Sequence, residues 1–446
     1  GLCERCWRWA SANSGGGTLD KLVIEGGRPL QGSIRIEGAK NAALPILAAS
    51  ILAEGPVSID NVPDLLDIHV MLEILRSLGV SATLRNKTVS INAANVNTSE
   101  IPESLMSKMR SSIFLMGPLL ARFGEVTIYQ PGGCAIGERK IDLHLNGLKS
   151  LGATVIETEN KIVCTANRLK GADIVLDYPS VGATENLMMA AVTAEGITTI
   201  SNAAREPEIS DLQLFLNRMG AKIIGAGTDT ITIEGVKKLS SCEHRVIPDR
   251  IVTGTLMVAA AATRGNVNLE GAVPGHLTSV IHALLRSGVQ ITFEDGIMNV
   301  IGTSRPRAVE RIVTSPFPSF PTDLQAQMMV LLSLADGLSI VKETVFESRF
   351  RHVSELVAMG ADIRVDLNCA FIRGVPRLYG AAVEATDLRA GAALVIAGLA
   401  ATGRTVISQI HHIDRGYESI ETMFQSLGAC IERTGAVAPN RMASSM

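Results

Sequence analysis

Six segments of this chain close on one pattern, LRSLGV, LKSLGA, LNRMGA, LLRSGV, LVAMGA and FQSLGA, placing Gly79, Gly152, Gly220, Gly288, Gly360 and Gly428 at intervals of 73, 68, 68, 72 and 68 residues. A second series, Gly55, Gly124, Gly196, Gly265, Gly337 and Gly403, follows six other apolar runs at intervals of 69, 72, 69, 72 and 66. Self-similarity at a fixed period means that one supersecondary unit is used repeatedly, and this decides the architecture before any motif does. A glycine just past an apolar run suits the left-handed position that ends a helix, where a Cβ would be strained.

From Thr184 one unit reads as an apolar helix to Glu195, Gly196, a strand in ITTISNA, a second helix, Gly220 and two strands, a βαβαββ-like order. The second helix carries Ile209, Leu212, Leu216 and Met219 on one face, so it is amphipathic and covers something. Runs such as NLMMAAVTA, TLMVAAAAT and AALVIAGLAA are instead apolar all round, which requires protein on every side. At 446 residues the chain exceeds what one hydrophobic core usually supports. Six enclosed helices are covered by two pseudo-threefold α/β domains of three units each, with sheets and amphipathic helices around a buried three-helix centre. The sequence predicts a tail over residues 1–18, a first domain over 40–247, a second built from 19–39 and 248–434, and a tail over 435–446.

Aromatic residues are only 4% against 46% hydrophobic, so Ala, Val, Ile, Leu and Met must fill both interiors. The balance of 41 Lys+Arg against 44 Asp+Glu, with no basic stretch, argues against nucleic acid or an anionic membrane and for small-molecule partners. The longest uncharged apolar runs, Ile251 to Thr263 and Ala390 to Gly403, fall short of the ~20 residues that span a bilayer. Seven scattered cysteines, Cys3, Cys6, Cys134, Cys164, Cys242, Cys369 and Cys430, form no disulfide framework and favour a reducing compartment, with the cytoplasm the simplest assignment and a plastid the alternative. The lone CxxC of Cys3 and Cys6 carries no zinc or redox reading by itself.

Polar residues recur where the buried helices begin: Lys40 and Asn41 in EGAKNAALP, Arg110 in KMRSSIF, Arg250 in PDRIVTG, Asp323 in FPTDLQAQ and Arg389 in TDLRAGAAL. A helix N-terminus offers free N–H groups and a partial positive charge, so cations gathered there make an anion-binding cleft. The loop PGGCAIGERKIDLH sets Cys134 among glycines and cations, surroundings that lower a thiol pKa. GGCAIG lacks the middle glycine of GxGxxG, no GxxxxGK(S/T) occurs, and the eight histidines show no metal-ligand spacing.

At EGAKNAALPILAA, PGGCAIGERKIDLH, AAREPEI, FPTDLQAQ, ATDLRA and HIDRGYE the chain closely resembles the UDP-N-acetylglucosamine 1-carboxyvinyltransferase family, from about Lys21 to Thr434. The resemblance implies the enolpyruvyl transferase fold, two inside-out α/β barrel domains, in agreement with the sixfold repeat. It also implies addition–elimination between phosphoenolpyruvate and UDP-N-acetylglucosamine, the first committed step of peptidoglycan precursor synthesis, with no metal or organic cofactor. Lys40, Arg139 and Arg415 would hold the phosphate of phosphoenolpyruvate, and Arg349 and Arg389 would lie near its carboxylate, with Asn41 beside them. Asn41, Arg110, Arg139, Lys140, Ile141, Asp142, Leu143, Ser180, Val181, Gly182, Asp323 and Val345 match positions that contact the UDP-sugar. Asp323 would orient and deprotonate the attacking 3-hydroxyl, and Cys134 would donate a proton and take the label of fosfomycin.

Glu138 and Lys140, Tyr178 and Pro179, and Ser348 depart from the commoner family pattern around uridine. Arg205, Glu206 and Glu208 match a further family motif and read as a salt-bridged interface. Two other readings remain at this point: the sister transferase acting on shikimate 3-phosphate, and a catalytically silent paralogue that binds the UDP-sugar.

Overall fold

The computed structural model describes residues 20–129 and 141–435. The buried apolar side chains form two separate clusters, one spanning Ala39 to Val246 and the other joining Leu22 to Ile36 with Ile251 to Ile431. Each cluster surrounds three inner helices. Lys40–Ala49, Met116–Phe123 and Val181–Ala191 lie in the first, and Arg250–Ala262, Gln325–Ser333 and Leu388–Ala400 in the second. All nine residues of Gln325–Ser333 are buried, as is every residue of Lys40–Ala49 except Asn41. These small and straight side chains let helices approach closely on all sides.

Three inner helices are capped by a side chain of the preceding residue. Ser180 accepts from Ala183 N, Asp249 from Ile251 N and Val252 N, and Asp387 from Arg389 N and Ala390 N. Each cap is worth about 1 kcal/mol and fixes where the helix starts. The first of them places the helix at Val181, ahead of the Thr184 start read from the sequence, and that helix stops at Ala191 instead of running to Glu195. Glu195 is taken by its neighbour: its N–H donates to Leu169 O at 2.9 Å, and it bridges Lys170.

Around the inner helices lie six sheets, five of four strands and one of three. In a typical one Ile197–Ser201 runs parallel to Asp173–Val175 (Thr199 opposite Asp173) and antiparallel to Thr230–Glu234 (Thr199 opposite Thr232). The three-stranded sheet has a single parallel bridge, Glu100 to Thr127, at its edge. Amphipathic helices such as Leu66–Ser77 and Pro207–Arg218 cover the sheets. Two N-terminal strands serve the second cluster in different sheets: Lys21–Glu25 lies between Arg404–Ser408 and Cys430–Thr434, and Gln31–Arg35 pairs with Asn266–Glu270.

The first glycine series takes positive φ throughout, from 86° at Gly428 to 104° at Gly220. In the second series Gly124, Gly196, Gly337 and Gly403 do the same, but Gly55 and Gly265 do not. There the glycine serves close approach instead, because a Cβ would run into Ser241 Oγ or Leu30 O.

The chain passes between the clusters twice, and the two passages lie side by side. Gly38 bridges Pro248, Ala39 N donates to Ile247 O at 2.8 Å, and Asp249 N donates to Glu37 O at 2.9 Å. Gly38 admits no side chain, since a Cβ would strike the carbonyl of Asn61, whose amide in turn donates to Val246 O at 2.9 Å.

Candidate functional site

Lys40 is the first residue after this double passage and the first of its helix, so its backbone N–H reaches the start of the second cluster while its side chain meets a carboxylate of its own. The N–H donates to Asp249 Oδ2 at 3.3 Å, and Nζ lies 3.0 Å from Asp67 Oδ2. Asp67 Oδ1 accepts from Arg415 Nε at 2.9 Å. One buried carboxylate on the first cluster thus binds an ammonium from its own side and a guanidinium from the other. Burial lowers the Lys40 pKa below 10.5; Asp67 opposes this, and Arg389 and Arg415 add to it. Burial would raise Asp67, but Lys40 and Arg415 outweigh it and hold the carboxyl below 3.8.

Asp67 escaped the sequence reading, although a signal was present. It sits in step with Val70, Met71 and Ile74 on the apolar face of Leu66–Ser77, a charge where the pattern calls for a hydrophobe.

A second group forms at the other cluster. Asp323 belongs to the 3-10 turn Thr322–Leu324, which leads into Gln325–Ser333. Its Oδ1 accepts from Arg349 Nη2 at 2.8 Å, and its Oδ2 lies 3.4 Å from Arg389 Nη2. Both arginine side chains are only 4% exposed, against 26% for Asp323. Arg349 lies over the Phe346 ring at 5.3 Å, while its Nη1 and the Nε of Arg389 are buried without a hydrogen-bond partner among the described residues. The two groups adjoin, since the charge of Arg389 acts on Lys40 and that of Asp323 acts on Arg250 and Arg389.

Arg250 Nε donates to Glu208 Oε1 at 2.9 Å, and Phe317 N donates to Glu206 Oε1 at 3.3 Å, so of the salt-bridged interface read from the sequence Glu208 supplies the ion pair and Glu206 a backbone contact, while Arg205 is exposed. Beneath this interface Glu185 is fully buried with both oxygens unpartnered among the described residues. Burial, with Glu208 and Glu206 nearby, pushes its carboxyl well above the usual range.

The remaining residues singled out from the sequence are spread over several helix starts. Asn41 follows Lys40 and is half-buried, and Arg110 opens the turn Arg110–Leu115. Ser180, Val181 and Gly182 form the capped start of their helix, where a Cβ on Gly182 would stand 3.2 Å from the His144 ring. Ile141 precedes Asp142–Ser150, with Asp142 exposed and Leu143 half-buried. Val345 N donates to Glu343 Oε1 at 2.8 Å. Tyr178 is exposed enough to meet a ligand, and burial together with Glu206 and Glu343 raises its hydroxyl pKa. Ser348 is exposed beside Arg349. Cys134, Glu138, Arg139 and Lys140, like Cys3 and Cys6, lie outside the described residues.

Lys40, Arg349, Arg389 and Arg415 thus converge on Asp67 and Asp323 where the clusters meet, with Arg250, paired to Glu208, close by. Arginine grips carboxylate or phosphate through paired N–H groups, so this arrangement suits a small polyanion. Among the described residues no group of three His, Cys, Asp or Glu could hold a metal ion, and no helix is long and apolar enough to cross a membrane.

The family model described as EPSP synthase (3-phosphoshikimate 1-carboxyvinyltransferase) matches residues 24–424. A UDP-N-acetylglucosamine 1-carboxyvinyltransferase 1 of Caldanaerobacter subterraneus subsp. tengcongensis is 53% identical over 413 residues, 93% of this chain and 99% of that protein. A UDP-N-acetylglucosamine 1-carboxyvinyltransferase of Hydrogenovibrio crunogenus is 52% identical over 93% of this chain and all of its own length. Among solved structures, the enolpyruvyl transferase NikO from Streptomyces tendae superposes with a TM-score of 0.85 at 27% identity, covering 95% of this chain and 100% of that one. An EPSP synthase from Acinetobacter baumannii gives 0.72 at 20% identity, covering 94% and 100%, a likeness of fold alone. The architecture is therefore the enolpyruvyl transferase fold.

Proposed function

The chain belongs to the UDP-N-acetylglucosamine 1-carboxyvinyltransferase family, and we propose that it transfers the enolpyruvyl group of phosphoenolpyruvate to the 3-hydroxyl of UDP-N-acetylglucosamine, releasing phosphate. The observation that supports this most is the meeting of Lys40 and Arg415 on one carboxylate, with Arg349 and Arg389 on another close by. The phosphate of phosphoenolpyruvate joins Asp67 on the remaining N–H donors of Lys40 and Arg415, together with Arg139 from the loop. Its carboxylate goes to Arg389 and Arg349, with Asn41 alongside. The UDP-sugar lies along Arg110, Arg139 to Leu143, Ser180 to Gly182 and Val345.

With the substrates so held, Cys134 protonates C3 of the enol, Asp323 takes the proton of the sugar 3-hydroxyl, and the sugar oxygen bonds to C2. Loss of phosphate and of a C3 proton from the tetrahedral adduct restores the double bond. A positioned acid and base of this kind contributes about 10²–10⁴-fold each. We place the reaction in the cytoplasm, at the first committed step of peptidoglycan precursor synthesis, with the described halves acting as two domains over 40–247 and over 19–39 with 248–434.

Phosphate release is the test. It is expected with phosphoenolpyruvate and UDP-N-acetylglucosamine together. Release only with shikimate 3-phosphate would transfer the chain to the sister activity, and release with neither would make it a binding protein.

Thiol labelling probes the loop separately. Burial pushes Cys164 and Cys242 up to about 11, leaving them mostly protonated near neutral pH. Fosfomycin is expected to label Cys134 and to spare those two, read by peptide mass spectrometry. A label found on another cysteine removes Cys134 from its role.

A further inference from the structure

Tyr417 is buried in the second cluster, and its hydroxyl meets one side chain from each of the three inner helices there. Thr255 Oγ1 lies at 2.8 Å, Arg389 Nη1 at 3.2 Å and Gln327 Nε2 at 3.4 Å. The proton directions follow from the inventory of donors. Thr255 spends its one O–H on Ile251 O at 2.8 Å, so Tyr417 donates to Thr255 and is left to accept from Arg389. Gln327 Nε2 also donates to the backbone oxygen of Asp323 at 2.9 Å, tying the turn that carries Asp323 to the same point. The guanidinium carbon of Arg389 stands 5.5 Å from the Tyr417 ring centroid, so face and hydroxyl act together.

A polar network among helices otherwise built of Ala, Leu, Val and Met is costly to bury and rigid once satisfied. Its effect here is directional. With Nη1 fixed on Tyr417 and Nη2 turned to Asp323, Arg389 can rotate little, and its unpartnered Nε keeps one orientation.

We propose that Tyr417 is a positioning residue, which orients the Arg389 guanidinium for the substrate carboxylate and, through Gln327, sets the place of Asp323. The inference rests on the enolpyruvyl transfer reading, which wild-type phosphate release tests by itself. An active wild type with an unaffected variant would overturn this inference alone.

Tyr417→Phe keeps the ring and removes the acceptor. The KM for phosphoenolpyruvate is expected to rise about tenfold, the effect of losing a hydrogen bond to a charged group. The KM for UDP-N-acetylglucosamine and the Tm should stay close to wild type. A KM for phosphoenolpyruvate within about twofold of wild type, or parallel loss for both substrates together with a lowered Tm, would overturn it. If the Phe variant does not fold, Thr255→Val removes the acceptor for Tyr417 from a different helix. It should raise the same KM by about threefold, the scale of one neutral hydrogen bond, and Thr255→Ser should restore it. No change in Thr255→Val would likewise overturn the proposal.

Discussion

Asp323→Ala is expected to lower kcat by about 10³-fold, the scale on which a positioned base acts, while the KM for phosphoenolpyruvate stays level or falls. The split follows from the geometry. In the free site Asp323 occupies Nη2 of both Arg349 and Arg389, so it competes with a substrate carboxylate for the same donors. Its removal frees those donors and abolishes only the proton acceptor. The two guanidinium groups cannot discard their charge by deprotonating, so some loss of stability accompanies the change. Asp323→Asn preserves shape and one acceptor oxygen, and should show the same fall in kcat with less loss of Tm. A kcat within about tenfold of wild type in both variants would remove Asp323 as the base.

Asp67→Ala should lower kcat/KM for phosphoenolpyruvate by about 10²-fold, the consequence of leaving one member of a buried ion pair alone. It should also move the pH profile. The ammonium form of Lys40 is the one that binds phosphate, and it is present below the folded pKa of Lys40. In the wild type, activity on the alkaline side is therefore lost as pH rises through a value lower than 10.5. Asp67 is the first of the groups that raise that value, so removing it lowers the pKa further and the alkaline limb must shift to lower pH. Asp67 itself is held below 3.8, so it stays ionised across this range and does not titrate in the profile. A limb that stays in place, or moves up, would show that Asp67 does not govern Lys40.

Much of this was legible in the sequence because it was periodic. Glycines at a fixed interval marked the ends of helices, and Lys40, Arg250, Asp323 and Arg389 stood out because each opens an otherwise apolar run. Arg349 and Arg415 lie in turns, where no period exists to make a charge conspicuous, and only the likeness of their surroundings to a known family drew notice to them. Asp67 was readable as a charge on an apolar face but was passed over, because a helix start tolerates an aspartate on dipole grounds alone. Tyr417 gave no signal of its own: a single aromatic after a glycine is ordinary, and its meaning depends on three helices that are distant in sequence.

The double passage of the chain at Gly38–Ala39 and Ile247–Asp249 works as an axle of two straps pinned together. Two straps side by side resist shear and twist more than bending, so a hinge motion of the halves would turn about the line through them. Lys40 sits at the fulcrum, so its amine keeps nearly the same place at every opening angle, whereas groups far along either half sweep a wide arc. Substrate phosphate could therefore be caught by a stationary hook before the jaws shut.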